Sequence, residues 1–165
     1  MPGPLPVPAR DWAAFRLGDL KEKRAVPVLT QTLIRDADWR LTQTARDALI
    51  TIGGTEVETE MLALLTHEDC QRVRPAAIEV LFRLQGERSR DLARRMLREE
   101  NWGLKRPALI HLGNLGTAED LALLRPYCDY WTADRTTHYW AIGAVAQIRD
   151  RCNYDVNGPI VKRSP

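Results

Sequence analysis

The side chains with most chemistry to offer in this 165-residue sequence are three histidines, three cysteines and five tryptophans. The densest cluster is His67-Glu68-Asp69-Cys70. An imidazole, a thiol and two carboxylates are zinc-ligand types, and Cys128 or Cys152 could complete a set from a distance. Structural zinc draws four ligands, usually in close pairs, and the sequence has no C-x-x-C pair. The plainer expectation for this stretch is a solvated turn followed by a small buried cysteine. The other two histidines, His111 and His138, have no adjacent carboxylate. No G-x-x-x-x-G-K-[ST] phosphate loop is present. These residues imply no cofactor, and no catalytic residue can be assigned.

The scaffold carrying these residues repeats itself. "AAFRLGDL", Ala13 to Leu20, returns as "ALIHLGNL", Ala108 to Leu115. Its alanine recurs as Ala13, Ala45, Ala77, Ala108 and Ala141, at spacings of 32, 32, 31 and 33. Four residues later stand Leu17, Leu49, Leu81, Leu112 and Val145; three further on stand Leu20, Ile52, Leu84, Leu115 and Ile148. Offsets of 0, 4 and 7 share one face of an α-helix, so each copy is a helix with a buried stripe. Between these helices lies a second apolar segment: Val28, Leu29 and Leu33, then Met61, Leu62 and Leu65, then Leu92 and Leu97, then Leu123 and Leu124. Gly53, Gly54, Gly86 and Gly116 punctuate the helix ends, and Pro75 and Pro107 fall near helix starts. The expected architecture is all-α: a right-handed α-solenoid of about four and a half helix pairs, spanning residues 9–150.

The segment "KRAVPVLTQTLIRDADWRLTQTARDALITIGG", Lys23 to Gly54, resembles a HEAT repeat of the short bacterial type found in phycobilisome lyases. "AVPVL", Ala25 to Leu29, and "RVRPAAIEVL", Arg72 to Leu81, carry the likeness. The resemblance implies the fold and opens several activities. Deoxyhypusine hydroxylase, built from similar repeats, holds two irons through several His-Glu pairs, whereas this chain has only His67–Glu68, in a turn. HEAT-like DNA glycosylases need aromatics and a carboxylate around an extruded base on a basic face. Trp39, Trp102, Trp131 and Trp140 could supply the aromatics, but Trp39 and Trp102 share one repeat position, six before the alanine, where a structural role at the turn is expected. A phycobilin-lyase-like subunit would rest on the repeats alone. "AVAQIRDRCNYD", Ala144 to Asp155, resembles tails that close HEAT regions in bacterial NACHT-domain proteins.

The reading that follows is a non-enzymatic scaffold or adaptor that binds a protein partner through a concave face lined by the second helix of each pair. With the stripe buried, that face should hold Arg40, Gln43, Asp47 and Thr51, then Arg72, Glu79 and Arg83, then Arg106 and Asn114. Its arginines would suit an acidic peptide or helix, and the interspersed acids disfavour nucleic acid. Net charge is +2, from 24 basic and 22 acidic residues, so global charge points to neither nucleic acid nor membrane. A composition 44% hydrophobic and 28% charged is that of a folded globular chain. No apolar run is long enough to cross a bilayer, no signal peptide is expected at the N-terminus, and the odd, scattered cysteines fit the reducing cytoplasm. Residues 1–8, with alternating prolines, read as an extended arm. Residues 151–165 read as a tail that caps the last pair, with Tyr154, Val156, Ile160 and Val161 available to cover Ile142 and Val145; the alternative is that the aromatic C-terminus, with Tyr130, Trp131, Tyr139, Trp140 and Tyr154, is a docking surface. At the other end Trp12, Phe15 and Leu17 are expected to form a partial cap.

Overall fold

The computed structural model describes residues 6–66, 72–129 and 135–152. Every regular element among them is helical, and no helix among them is long and apolar enough to cross a membrane. The chain divides into two compact units, residues 1–85 and 86–165.

In the first unit, helix α1 (Val7–Asp19) precedes two pairs, α2 (Val26–Arg35) with α3 (Trp39–Ile52) and α4 (Gly54–Thr66) with α5 (Arg74–Gln85). The turn before α3 is short because Asp38 closes it: its carboxylate accepts from the backbone N–H groups of Arg40 and Leu41 at 2.9 and 3.1 Å. Gly53 ends α3 with φ +61°, a left-handed conformation that favours glycine. Helix α1 starts inside the stretch expected to be an extended arm, since a proline in a first helical turn sacrifices no hydrogen bond.

In the second unit the pairs are α6 (Arg90–Arg98) with α7 (Trp102–Leu115), and the short α8 (Asp120–Leu124) with α9 (Arg135–Cys152). Asn101 closes the turn before α7 by accepting from Gly103 N at 3.0 Å. It occupies the repeat position that Asp38 has in the first unit, seven before the alanine. Pro107 lies inside α7, six residues in, and not near its start. Helix α9 runs on to Cys152, beyond the expected end of the repeats, where Arg151 donates to the carbonyls of Gly113 and Gly116 at 2.9 and 2.7 Å. These are orphan acceptors at the end of α7, so the guanidinium both caps one helix and anchors the next.

The alanine-anchored stripe is the core. Leu49, Leu81 and Leu112 are each 0% exposed, as are Ala45, Ala77, Ala108 and Ala141. Burying one such leucine contributes roughly 1.5–3 kcal/mol. The stripe lies closer to offset 3 than expected: Ala48, Val80, His111 and Ala144 at that offset are buried, while Leu84, Leu115 and Val145, expected in the stripe, are only half-buried. Two registers differ from expectation. In α1 the buried residues are Ala14 and Gly18, one position along, which leaves Trp12, Phe15 and Leu20 exposed instead of covering the end. In the first helices of the pairs the buried sets are Val26, Leu29 and Leu33, then Val57, Met61 and Leu64, while Val28 and Leu62 are exposed. Adjacent residues on a helix point about 100° apart, so a run of neighbouring aliphatics cannot all enter one core.

Two helix contacts are close enough to require glycine. Helix α1 approaches α3 where Gly18 meets Ala48, and a methyl added at Gly18 would fall 2.7 Å from the Ala48 Cα. Helix α7 approaches α9 where Gly113 meets Ala144, and the same methyl would fall 3.1 Å from the Ala144 Cα. Both glycines stand at offset 5 and both alanines at offset 3. This explains why "AAFRLGDL" and "ALIHLGNL" resemble each other more than the other copies do. Each leads a seam in which backbone meets backbone. Between α3 and α5 the corresponding residues are Ile50 and Val80.

Candidate partner-binding faces

The outward face of the second helices is polar in the first unit. Arg40, Gln43, Asp47, Thr51 and Arg83 are exposed and Glu79 is half-buried. Arg72 is exposed, but it stands in the turn two residues ahead of α5 and not on the helix. A groove of about 320 Å³ lies here, lined by Trp39, Gln43, Arg46 and Arg72 among others.

Most of its cations already have work within the chain. Arg72 Nη2 donates to the Ile34 carbonyl at 2.8 Å and the Asp36 carbonyl at 3.4 Å, capping the end of α2. Arg46, which repeat spacing does not single out, joins Glu79 across the two helices at 2.6 Å. The Arg40 guanidinium stacks 5.6 Å from the Trp39 ring centre, and that tryptophan is 69% exposed instead of packed into the turn. Arg10 pairs with Asp36. The Asp38 backbone N–H, 3.0 Å from Asp36, is the main cause that holds the Asp36 carboxyl below its ordinary pKa. This groove is a knitted surface with few unspent donors.

In the second unit the same face is apolar. A groove of about 600 Å³ opens between α7 and α9, with Ile110, Tyr139, Trp140, Ile142 and Gly143 in its lining. Ile110 is 36% exposed, Ile142 48% and Tyr139 70%. Tyr139 and Trp140 meet edge to face, with ring centres 5.5 Å apart, and Arg106 stacks 5.1 Å from the Trp140 ring centre. Arg106 and Asn114 are exposed on α7. Gly143 faces the groove with no atom within 4 Å of where a Cβ would be, so the floor is open there.

The titratable groups with displaced pKa values in this unit serve the interior. His111 is 7% exposed and its Nε2 lies 2.8 Å from the Ser89 hydroxyl. Burial pushes its pKa below the ordinary imidazole value, against a backbone hydrogen bond at Gly86. Asp120 is 1% exposed; burial raises its pKa, but hydrogen bonds from Arg94 at 2.6 Å and the Thr117 backbone at 2.8 Å outweigh that and hold it below the usual range. Burial raises the Cys128 thiol, whose Sγ lies 3.5 Å from the Leu124 carbonyl, so it is a poor thiolate donor. The cluster from His67 to Cys70 lies outside the described residues, as do Trp131 and the tail after Cys152; the Trp102 side chain is not described either. Among the described residues no three ligand-type side chains converge.

Stacked helix pairs with an alanine-anchored core and polar or apolar outer faces define a repeat protein. A family model for HEAT repeats matches residues 7–81 and 58–146, most of the sequence, and the chain belongs to the HEAT-repeat family. No curated protein matches it.

Proposed function

We propose that this chain is a non-enzymatic adaptor of the cytoplasm that binds another protein through the outward faces of its second helices. HEAT repeats commonly mediate protein–protein interaction, because stacked pairs offer extended surfaces and few enclosed pockets. The observation that carries the reading is the apolar groove between α7 and α9. It leaves Ile110, Tyr139 and Ile142 exposed where the first unit has arginines and acids. Clustered exposed apolar side chains of this kind mark interaction sites.

The glycosylase alternative has less support. It needs a carboxylate beside the aromatics, and among the described residues no carboxylate lines the apolar groove. Among the described residues the carboxylate lining the polar groove, Asp36, is held by Arg10 and by the Asp38 backbone.

The test is affinity capture from the native cytoplasm with the full chain, compared with an Arg40→Glu/Arg106→Glu double variant that retains helical circular dichroism. The expected result is a protein captured by the native chain and depleted on the variant. Capture of nothing, or of nucleic acid alone, would overturn the reading.

A further inference from the structure

We infer that the groove between α7 and α9 is the seat for an amphipathic helix of a partner protein, its apolar stripe against Ile110, Tyr139 and Ile142 and its carboxylates against Arg106 and Arg135. This rests on the adaptor reading and names the chemistry of the partner.

Charge commits the groove to an acidic occupant. Of the cations on α7 and α9, Lys105 stacks on the Tyr127 ring and Arg151 caps the carbonyls of Gly113 and Gly116, which leaves Arg106 and Arg135 at the groove. Arg135 lies in the groove lining and Arg106 stacks on the Trp140 ring that helps to form it. In the first unit α3 and α5 alternate signs, with Arg40, Arg46 and Asp47 on one and Arg74, Glu79 and Arg83 on the other. Those helices set Asp47 and Glu79 among their arginines, whereas no carboxylate among the described residues lines the groove between α7 and α9.

The shape of the site selects a helix. Its walls are helices whose backbone groups bond within themselves, so an extended peptide would find no strand edge here to satisfy its own N–H and C=O groups. A helix brings its backbone already satisfied and presents apolar side chains at i, i+3, i+4 and i+7. Gly143 lets such a helix approach closely, since no side chain of its own fills the floor. The aliphatic walls of Leu109, Ile110 and Ile142 favour this occupant over a single-stranded nucleic acid, which would use stacked rings throughout.

The experiment selects displayed random peptides of about 16 residues, long enough for a marginal helix, against the full chain. Each enriched peptide is then titrated against Gly143→Trp, Gly143→Ala and an Arg106→Glu/Arg135→Glu variant. Gly143→Trp plugs the groove where no atom stands in the way, so it should keep the native helical signal. The expected result is peptides with helically spaced apolar residues flanked by Asp or Glu. They should lose at least about tenfold in affinity to Gly143→Trp and to the charge reversals, as central interface positions do, and lose less to Gly143→Ala. Enrichment of basic peptides, of peptides without helical spacing, or of peptides that bind Gly143→Trp equally well would overturn the proposal. Two other occupants would do the same. One is a second copy, shown by a native dimer that Gly143→Trp dissociates in sedimentation. The other is a labelled oligothymidylate whose binding Gly143→Trp abolishes. A partner captured from the cytoplasm equally well by Gly143→Trp would remove this seat and leave the adaptor reading standing. Peptides that dock as described with no partner captured would remove the adaptor reading alone.

Discussion

The two units use the same repeat positions for opposite ends. In the first, the faces of α3 and α5 are laced by Arg46–Glu79 at 2.6 Å and by Arg72 on the α2 carbonyls, and the groove they leave measures about 320 Å³. In the second, α7 and α9 meet through Gly113 and Ala144, and the groove beside them measures about 600 Å³ with aliphatic and aromatic walls. An arginine tied to its own neighbour has already given up its water and gains little from a newcomer. An exposed isoleucine still has that gain to make. One surface is spent on holding helices together, and the other is left to be covered.

The largest effect that would break this comparison lies beneath both faces. Leu49→Ala in the first unit and Leu112→Ala in the second should each cost about 2–5 kcal/mol in urea melts, since both leucines are fully buried in the same repeat position. A cost below about 1 kcal/mol at either site would mean that the shared register does not hold in that unit.

The seams come next. A glycine in the interior of a helix normally gains about 1 kcal/mol on becoming alanine. At Gly18 the added methyl would meet the Ala48 backbone at 2.7 Å, so Gly18→Ala should destabilise the protein by about 1–3 kcal/mol. Gly113→Ala should cost less, because its approach to Ala144 is 3.1 Å and its other close neighbour, Gln147, has a flexible side chain. Gly143→Ala, over open space, should stabilise by about 1 kcal/mol. Thermal melts of the three variants should therefore rise in the order Gly18, Gly113, Gly143; a gain at Gly18 would show that the first seam is looser than described.

The smallest effect separates the units by pH. His111 and Asp120 are buried in the second unit, while among the described residues the first unit fully buries no titratable side chain. The folded pKa of His111 is lowered, so the unfolded chain takes up its proton first. Its contribution is therefore present above the ordinary value of 6.5 and lost as pH falls from there toward the folded value. Asp120 follows the same sign lower down, losing its contribution as pH falls below 3.8. Amide exchange in α7 should consequently accelerate between neutral pH and mild acid relative to α3, after correction for intrinsic rates, and His111→Gln should flatten that difference. Equal acceleration in both helices would place the pH-sensitive element elsewhere.

Much of this was legible in the sequence. The alanine register located the second helix of every pair. A small residue that recurs every 31 to 33 positions, with aliphatics at offsets 4 and 7, can bury that stripe only as a helix packed on its neighbours. The all-α class and the HEAT resemblance followed from it. Finer placement did not follow. "VPVL" does not say which of its aliphatics turns inward, and Val28 turned outward. Arg72 read as a free rung of a ladder because sequence spacing cannot show a guanidinium reaching a carbonyl 38 residues earlier. The aliphatic walls of the apolar groove were missed for a more general reason. Leu109 and Ile142 stand at the same offset from their alanines, yet one is fully buried and the other 48% exposed. What lies beside a residue decides this, and an aliphatic side chain gives the same signal in both situations. A readable clue was the scarcity of acids: α7 has none, and α9 has only Asp150.

The glycine–alanine seams also bear on how such a chain can be recombined. Gly18 and Gly113 are 95 positions apart, three repeat lengths, and each addresses the same position on the second helix of the next pair. A joint made of a missing side chain and a single methyl carries almost no shape of its own. It demands only that two backbones be allowed to come close. Joints of that kind are interchangeable in a way that interlocking side chains are not: a leading helix cut from one seam already has the surface that the other requires. Repeats joined like this should be open to exchange or duplication in register with little re-tailoring of the joint itself.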